Sequence, residues 1–249
     1  MDHTEQALAI AGRVAASLAP ASIGIALFGS VAKGTDHAAS DIDLMIATTA
    51  GEGVQVRQVE GRMVTLTRNT PEDLRAAFSR PWEAGSAVAA WRFASLLHDP
   101  DGVMTALQAE ARAWTWERIG AEADRWAAGE LVGLAEEVHK VAGMLTLGRP
   151  RAAAANRAIL TLHLGGPLAA ANRLLYDSDN DLWDALAAAE GPAWARAWDT
   201  AAGLTAATHE DGCRSALHLY RLAADRLAHH LDEADRAIVH TACALAARA

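Results

Sequence analysis

Apolar and polar positions along the chain change rhythm twice, and each change marks a different kind of element. From Asp2 to about Ala19, apolar residues recur at helical intervals through Leu8, Ile10, Val14 and Leu18, the period of an amphipathic helix. Asp2 and Glu5 stand in capping-box spacing at its start, and Pro20 stops it. "SIGIALFG", residues 22–29, alternates and is rich in branched side chains, which predicts a strand ended by Gly29. "SDIDLMIAT" predicts a second strand, with Ile42, Leu44 and Ile46 on one face and Asp41 and Asp43 on the other. "VQVRQVEGRMVTLTRN" predicts two more strands turning at Glu60-Gly61. "NTPEDL" opens a helix, with Thr70 or Asn69 as cap and Pro71 at the first position. After it, strand signals disappear.

From Pro81 onward the chain is rich in alanine, leucine and arginine, broken mainly by "HDPDG", "LGRPR", "LGGP", "DSDND" and "EGP". That pattern predicts a helical bundle. The switch near residue 100, with no disordered linker, predicts a small α/β unit over 1–100 and a helical unit over 101–249.

Composition sharpens this picture in five places. With 249 residues and 51% hydrophobic content the chain has ample material for a buried core. No charge-free apolar run of about 18 residues occurs, and the start "MDHTEQALAI" is acidic, which argues against a membrane span or signal peptide and leaves the cytoplasm as the expected compartment. The cysteines, Cys213 and Cys243, lack CxxC spacing and are expected to be buried thiols. A formal charge of −9 argues against a protein that coats nucleic acid and suits a cationic small substrate. Of 22 basic residues only Lys33 and Lys140 are lysine, and both fall where a compact point charge has a use.

The densest chemistry lies in "LFGSVAKGTDHAASDIDLMI", Leu27 to Ile46. Gly29-Ser30 closes a strand and opens a turn whose backbone N–H groups and hydroxyl can face an anion, and Lys33 and Gly34 extend it. Twelve residues after Gly29, Asp41 and Asp43 project from one strand face with their carboxylates close together. Two like charges so placed are costly unless a cation sits between them. A divalent ion bridging carboxylates to substrate phosphates resolves the cost, and hard oxygen donors with no nearby thiolate favour magnesium.

"GSVAKGTDHAASDIDL" resembles the GS-x10-DxD signature of the polymerase-β-like nucleotidyltransferase superfamily. The resemblance implies an α+β protein: an N-terminal nucleotidyltransferase domain with a mixed sheet, followed by a C-terminal helical bundle. It implies magnesium on Asp41 and Asp43, and a nucleoside triphosphate, ATP first, held by Gly29, Ser30, Lys33 and Ser40.

"ELVGLAEEVHKVAGMLTLGRP", "RLLYDSDNDLWDAL" and "WEAGSAVAAWRFASLLHDPDG" are similar to segments of the kanamycin nucleotidyltransferase family of aminoglycoside-inactivating enzymes. By that likeness Glu136 is the general base on a sugar hydroxyl and Lys140, one turn on, contacts the nucleotide phosphate. Glu137 takes the base role if the register slips. Read as residues alone, Glu136 and Lys140 are a surface i,i+4 ion pair worth a few tenths of a kcal/mol. The expectation is AMP transfer from magnesium-ATP to an aminoglycoside, at the 4′-hydroxyl, in a protein that forms a homodimer. Asp99, Asp101 and Glu137, with Glu136, are the candidates for holding the polycationic acceptor.

One family feature is missing. The superfamily usually supplies a third carboxylate from the strand after the DxD, and here the matching position is Thr65, with Met63 and Thr67 on the same face. Either the metal site runs on two carboxylates, phosphates and water, or the chain is a nucleotide-binding regulatory or antitoxin-like module. A lincosamide or a protein side chain is the alternative acceptor. Other patterns carry less: Arg92 to His98 and Arg157 to His163 each match an R-x5-H ribonuclease spacing, the tryptophans read as core fillers, and His229-His230 point about 100° apart on a helix.

Overall fold

The computed structural model describes residues 2–51 and 53–249. They divide into two compact units, Met1–Arg118 with Leu175–Ser178, and Ile119–Leu174 with Asp179–Ala249. The position 100/101 lies inside the first unit, at the turn before its last helix.

The first unit opens with helix α1 (His3–Leu18). Asp2 caps it as expected: its side chain accepts the Glu5 N–H at 2.8 Å, and the Glu5 carboxylate accepts the Asp2 N–H at 3.2 Å. The buried stripe, however, runs through Ala7, Ile10, Ala11 and Ala15, while Leu8 is exposed. Alanines define the inward face because the helix lies close against the sheet, and a periodicity traced through large residues alone is rotated off it.

That sheet has five strands in the order β3-β4-β2-β1-β5: β1 (Gly24–Phe28), β2 (Ile42–Ala47), β3 (Gly53–Val59), β4 (Arg62–Asn69) and β5 (Ser95–His98). It is mixed, as expected. β2 and β4 run parallel, and the other neighbours are antiparallel. The β3–β4 hairpin turns at Glu60-Gly61, both in the left-handed region (φ 50° and 82°), the requirement of a tight two-residue turn that follows strand twist. Ile42, Leu44 and Ile46 of β2 pack with Val64 and Leu66 of β4 against Ala7, Ile10 and Ala11 of α1. The opposite face of the same strands carries Asp43, Met45, Thr65 and Thr67.

β5 corrects the expectation that strands end before residue 71. It is a four-residue edge strand on β1 with a register shift between Ile25 and Ala26. "SLLH" is too short to alternate, so nothing in its pattern separates it from the helices on either side. The remaining elements of this unit are α2 (Gly29–Lys33), α3 (Pro71–Ala76), α4 (Pro81–Phe93) and α5 (Val103–Ala113). Thr70 is the cap of α3, accepting the Asp73 N–H at 3.1 Å.

The second unit is helical throughout its described residues: α6 (Gly120–Thr146), α7 (Pro150–His163), α8 (Gly165–Ala171), α9 (Asp179–Glu190), α10 (Pro192–Ala202), α11 (His209–Leu227) and α12 (Glu233–Ala246). Prolines open α7 and α10, where the missing N–H has no intrahelical partner to lose. α6 packs on α7, α8, α11 and α12, and the buried Tyr220 hydroxyl of α11 donates to the Leu131 carbonyl of α6 at 3.1 Å. No helix is long and apolar enough to cross a membrane.

Candidate active site

The strand-to-helix passage at Gly29 sets the geometry. The sequence reading treated Gly29-Ser30 as an open turn, whereas the chain goes directly into the single helical turn of α2. Gly34 (φ 68°) ends α2, with its N–H on the Val31 carbonyl and the Thr35 N–H on the Ser30 carbonyl at 3.0 Å, the double closure of a Schellman cap. Gly29 has φ +70°, and a Cβ added there would sit 2.6 Å from Asp43 Oδ2. Both the backbone conformation and the space therefore require glycine.

Phe28 is the ladder partner of Asp43, which brings the end of β1 beside the start of β2. Asp41 and Asp43 face each other closely enough to share a hydrogen bond, and the Asp43 pKa is pushed up to about 6 by burial first, then by the charge of Asp41 and by that hydrogen bond. This is the signature of two carboxylates in one site that cannot both ionise cheaply. Thr65 lies across from Asp43 in the parallel ladder, and its hydroxyl donates to Asp41 Oδ2 at 3.3 Å. Thr65 thus meets the pair with a neutral donor in place of a third acid. Among the described residues no group of three or more His, Cys, Asp or Glu side chains is placed to hold a metal. Two hard oxygen donors, mutually repulsive and half-buried, still fit a magnesium ion that takes its other ligands from phosphates and water.

Ser40 precedes the pair in a tight loop: its hydroxyl accepts the His37 N–H at 3.0 Å. The loop is held by two residues that sequence reasoning missed. Arg62, at the start of β4 and nearly buried, donates to the Ser40 carbonyl at 2.9 Å and to the His3 carbonyl at 3.4 Å. It also lies 3.9 Å from Asp36, whose side chain is fully buried and accepts the Thr4 hydroxyl at 2.7 Å. A buried arginine next to a hairpin turn has no local sequence signal that separates it from a solvated one.

Lys33 ends α2 with its ammonium 2.8 Å from Asp177, and it lies over the Phe93 ring at 5.8 Å. Asp177 belongs to the short stretch Leu175–Ser178 that joins the first unit, where the Tyr176 N–H also donates to the Gly85 carbonyl at 3.3 Å. Its "YDSDND" surroundings drew attention for family likeness, but nothing in them marked a partner for Lys33.

In the second unit, α6 presents Glu136 exposed and Glu137 buried, and Lys140 pairs with both, at 2.9 and 2.8 Å. The hydrogen bonds that Lys140 donates to Glu137 and then to Glu136 raise its pKa. Glu137 Oε2 is buried with no hydrogen-bond partner among the described residues. Of the acceptor candidates in the first unit, Asp101 is exposed. Asp99 is occupied: it accepts the N–H groups of Met104 and Thr105 and the Thr105 hydroxyl, at 2.7 to 2.9 Å. Burial pushes its pKa up, but these donors outweigh burial and hold it below its ordinary value. Arg92 is likewise structural, donating to the carbonyls of Ala111 and Trp114.

Residues 13–75, which run from within α1 almost to the end of α3, match the family model described as a nucleotidyltransferase domain. Over that span the chain is similar to a nucleotidyltransferase domain. The match supports an enzyme of nucleotidyl transfer and covers Gly29, Ser30, Asp41, Asp43 and Thr65. No curated protein matches the chain. The crystal structure of a nucleotidyltransferase-like protein from Exiguobacterium sibiricum aligns over 99% of this chain and 78% of its own, at 14% identity and a TM-score of 0.47.

Proposed function

We propose that this nucleotidyltransferase moves AMP from magnesium-ATP to a hydroxyl of an aminoglycoside. The observation that carries the reading is the strained carboxylate pair, Asp41 and Asp43, set against the glycine corner that opens α2. A magnesium ion on the pair supplies positive charge against the phosphoryl group during transfer. The remaining tasks fall to side chains. The backbone and hydroxyl at Gly29-Ser30 orient the polyphosphate, and Lys33 and Lys140 offset its charge. Glu136, with Glu137 as the neighbouring alternative, accepts the proton of the sugar hydroxyl. The hydroxyl oxygen bonds to the α-phosphorus, the bond from that phosphorus to the bridging oxygen breaks, and pyrophosphate leaves.

The family likeness of the α6 segment and the net charge of −9 support a cationic acceptor. Incubation with magnesium-ATP and a panel of aminoglycosides, read by mass spectrometry, tests this. The expected product is heavier by one AMP and is lost in Asp43→Asn. No adduct on any member of the panel would overturn the aminoglycoside assignment. Thr65 favours a second reading, a domain that binds nucleotide without turnover. In that case magnesium-dependent nucleotide binding persists with no transfer to any acceptor.

A further inference from the structure

Next to the carboxylate pair the first unit contains a cavity of about 460 Å³, within the range of small-molecule sites. Its floor is Met45 and Phe28. Phe28 is the ladder partner of Asp43, and Met45 follows Asp43 by two residues on the same strand face, about 7 Å along β2. One wall is a single face of α4, with Glu83, Ser86, Ala87 and Ala90 at helical spacing. The two alanines leave the hollow open, since larger side chains at these half-buried positions would fill it.

The lining disfavours two kinds of occupant. Its charged residues are three carboxylates, Asp73, Glu83 and Asp177, against one guanidinium, Arg80. Arg80 pairs with Glu83 at 2.9 Å and faces Asp73 at 3.9 Å, and the other Glu83 oxygen accepts the Trp82 indole N–H at 3.0 Å, so an incoming ammonium shares these carboxylates with their present partners. An anionic group such as a polyphosphate is repelled here. A nucleobase seeks an open aromatic face, but Trp91 is only 2% exposed and packs against Phe28 at 81° with centroids 5.0 Å apart. The edge-to-face contact takes part of each ring and leaves Phe28 half-buried at the cavity. What suits the cavity is a compact body with ammonium groups, whose charges meet the carboxylates, and hydroxyls for Ser86 and Asn69, which also line it.

We propose that this cavity is the acceptor pocket, taking an amine-bearing polyhydroxylated ring with Asp73, Glu83 and Asp177 as its counter-charges and turning a free hydroxyl toward Asp43. The assignment rests on the transferase reading above and moves the acceptor lining from Asp99 and Asp101 to α3, α4 and the 175–178 stretch. Asp177 then has two possible partners, Lys33 and a ligand ammonium. An ammonium that takes its share of Asp177 weakens that carboxylate's hold on Lys33, which couples the acceptor to the nucleotide.

Calorimetry separates these outcomes without turnover, using kanamycin as the amine-bearing probe and a nonhydrolysable ATP analogue with magnesium as the nucleotide. Ala87→Leu, which fills the cavity, should weaken kanamycin binding at least tenfold. Glu83→Gln should weaken it several-fold, and both variants should change nucleotide affinity less than twofold. In the wild-type protein, kanamycin should tighten nucleotide binding several-fold, an effect absent in Asp177→Asn. Kanamycin affinity unchanged in a folded Ala87→Leu protein overturns the pocket, as does no kanamycin binding to wild type. Loss of nucleotide affinity in Ala87→Leu overturns it in favour of a nucleobase site. Kanamycin binding that obeys these variants without any AMP adduct leaves the pocket standing and removes the transferase assignment. An adduct formed undiminished by Ala87→Leu does the reverse.

Discussion

The Asp43 carboxylate fills the space that a side chain at residue 29 would need: Oδ2 lies 2.6 Å from the point where a Gly29 Cβ would be. Helix start and the strand that bears the carboxylate pair are thereby built around one another. Gly29→Ala should lower stability by about 1–3 kcal/mol through its left-handed backbone alone and displace Asp43 as well. Magnesium-dependent nucleotide binding measured by calorimetry should fall at least tenfold. An alanine variant that binds normally would show that the contact is incidental.

Asp43 makes the protein sensitive to pH in a definite direction. Its folded pKa of about 6 exceeds the ordinary 3.8, so between those values the folded protein holds a proton that the unfolded chain has released. The associated stability is complete below the ordinary value and is lost as pH rises through about 6. Asp43→Asn removes this loss. In thermal melts without metal, the variant should gain a few degrees on the wild-type protein between pH 4 and pH 7. Magnesium affinity of the wild-type protein should fall by up to about tenfold per pH unit below 6, because a proton competes for the same oxygen.

Thr65 stands at the ladder position opposite Asp43 and donates to Asp41. Thr65→Asp places a third carboxylate there. The expected result is tighter manganese or magnesium binding, about tenfold by calorimetry, together with a lower melting temperature of the metal-free protein at neutral pH, since three like charges then share the site. Unchanged metal affinity would show that the strand position is out of reach of the cation.

Arg62 ties the loop before Asp41 to the start of α1 through the Ser40 and His3 carbonyls and the buried Asp36. Arg62→Met leaves a buried carboxylate without its cation, a change that typically costs about 3–5 kcal/mol. Denaturant melts should show that loss. The double variant Arg62→Met, Asp36→Asn should recover part of it, and full additivity of the two changes would deny the coupling.

Much of the first unit was legible because its signals are local. The capping box at Asp2, the Glu60-Gly61 turn, the Thr70 cap and the alternation that puts Asp41 and Asp43 on one face each depend on residues within a few positions. What escaped depends on contacts made at long range. β5 is too short to show a period, and the alanine face of α1 is visible only once the sheet lies against it. Asp177 reaches Lys33 from 144 residues away. Asp99 read as a candidate for binding a cation because a free carboxylate and a capping one look alike in sequence; the first turn of α5 decides between them.

The stretch Leu175–Ser178 returns to the first unit after the chain has already passed through three helices of the second. No single cut therefore releases a complete catalytic half. A protein truncated after Arg118 would keep the sheet and both aspartates yet lose the Asp177 carboxylate that Lys33 grips. Synthesis meets the same order: until residue 177 has been added, the nascent first unit lacks this closing ion pair.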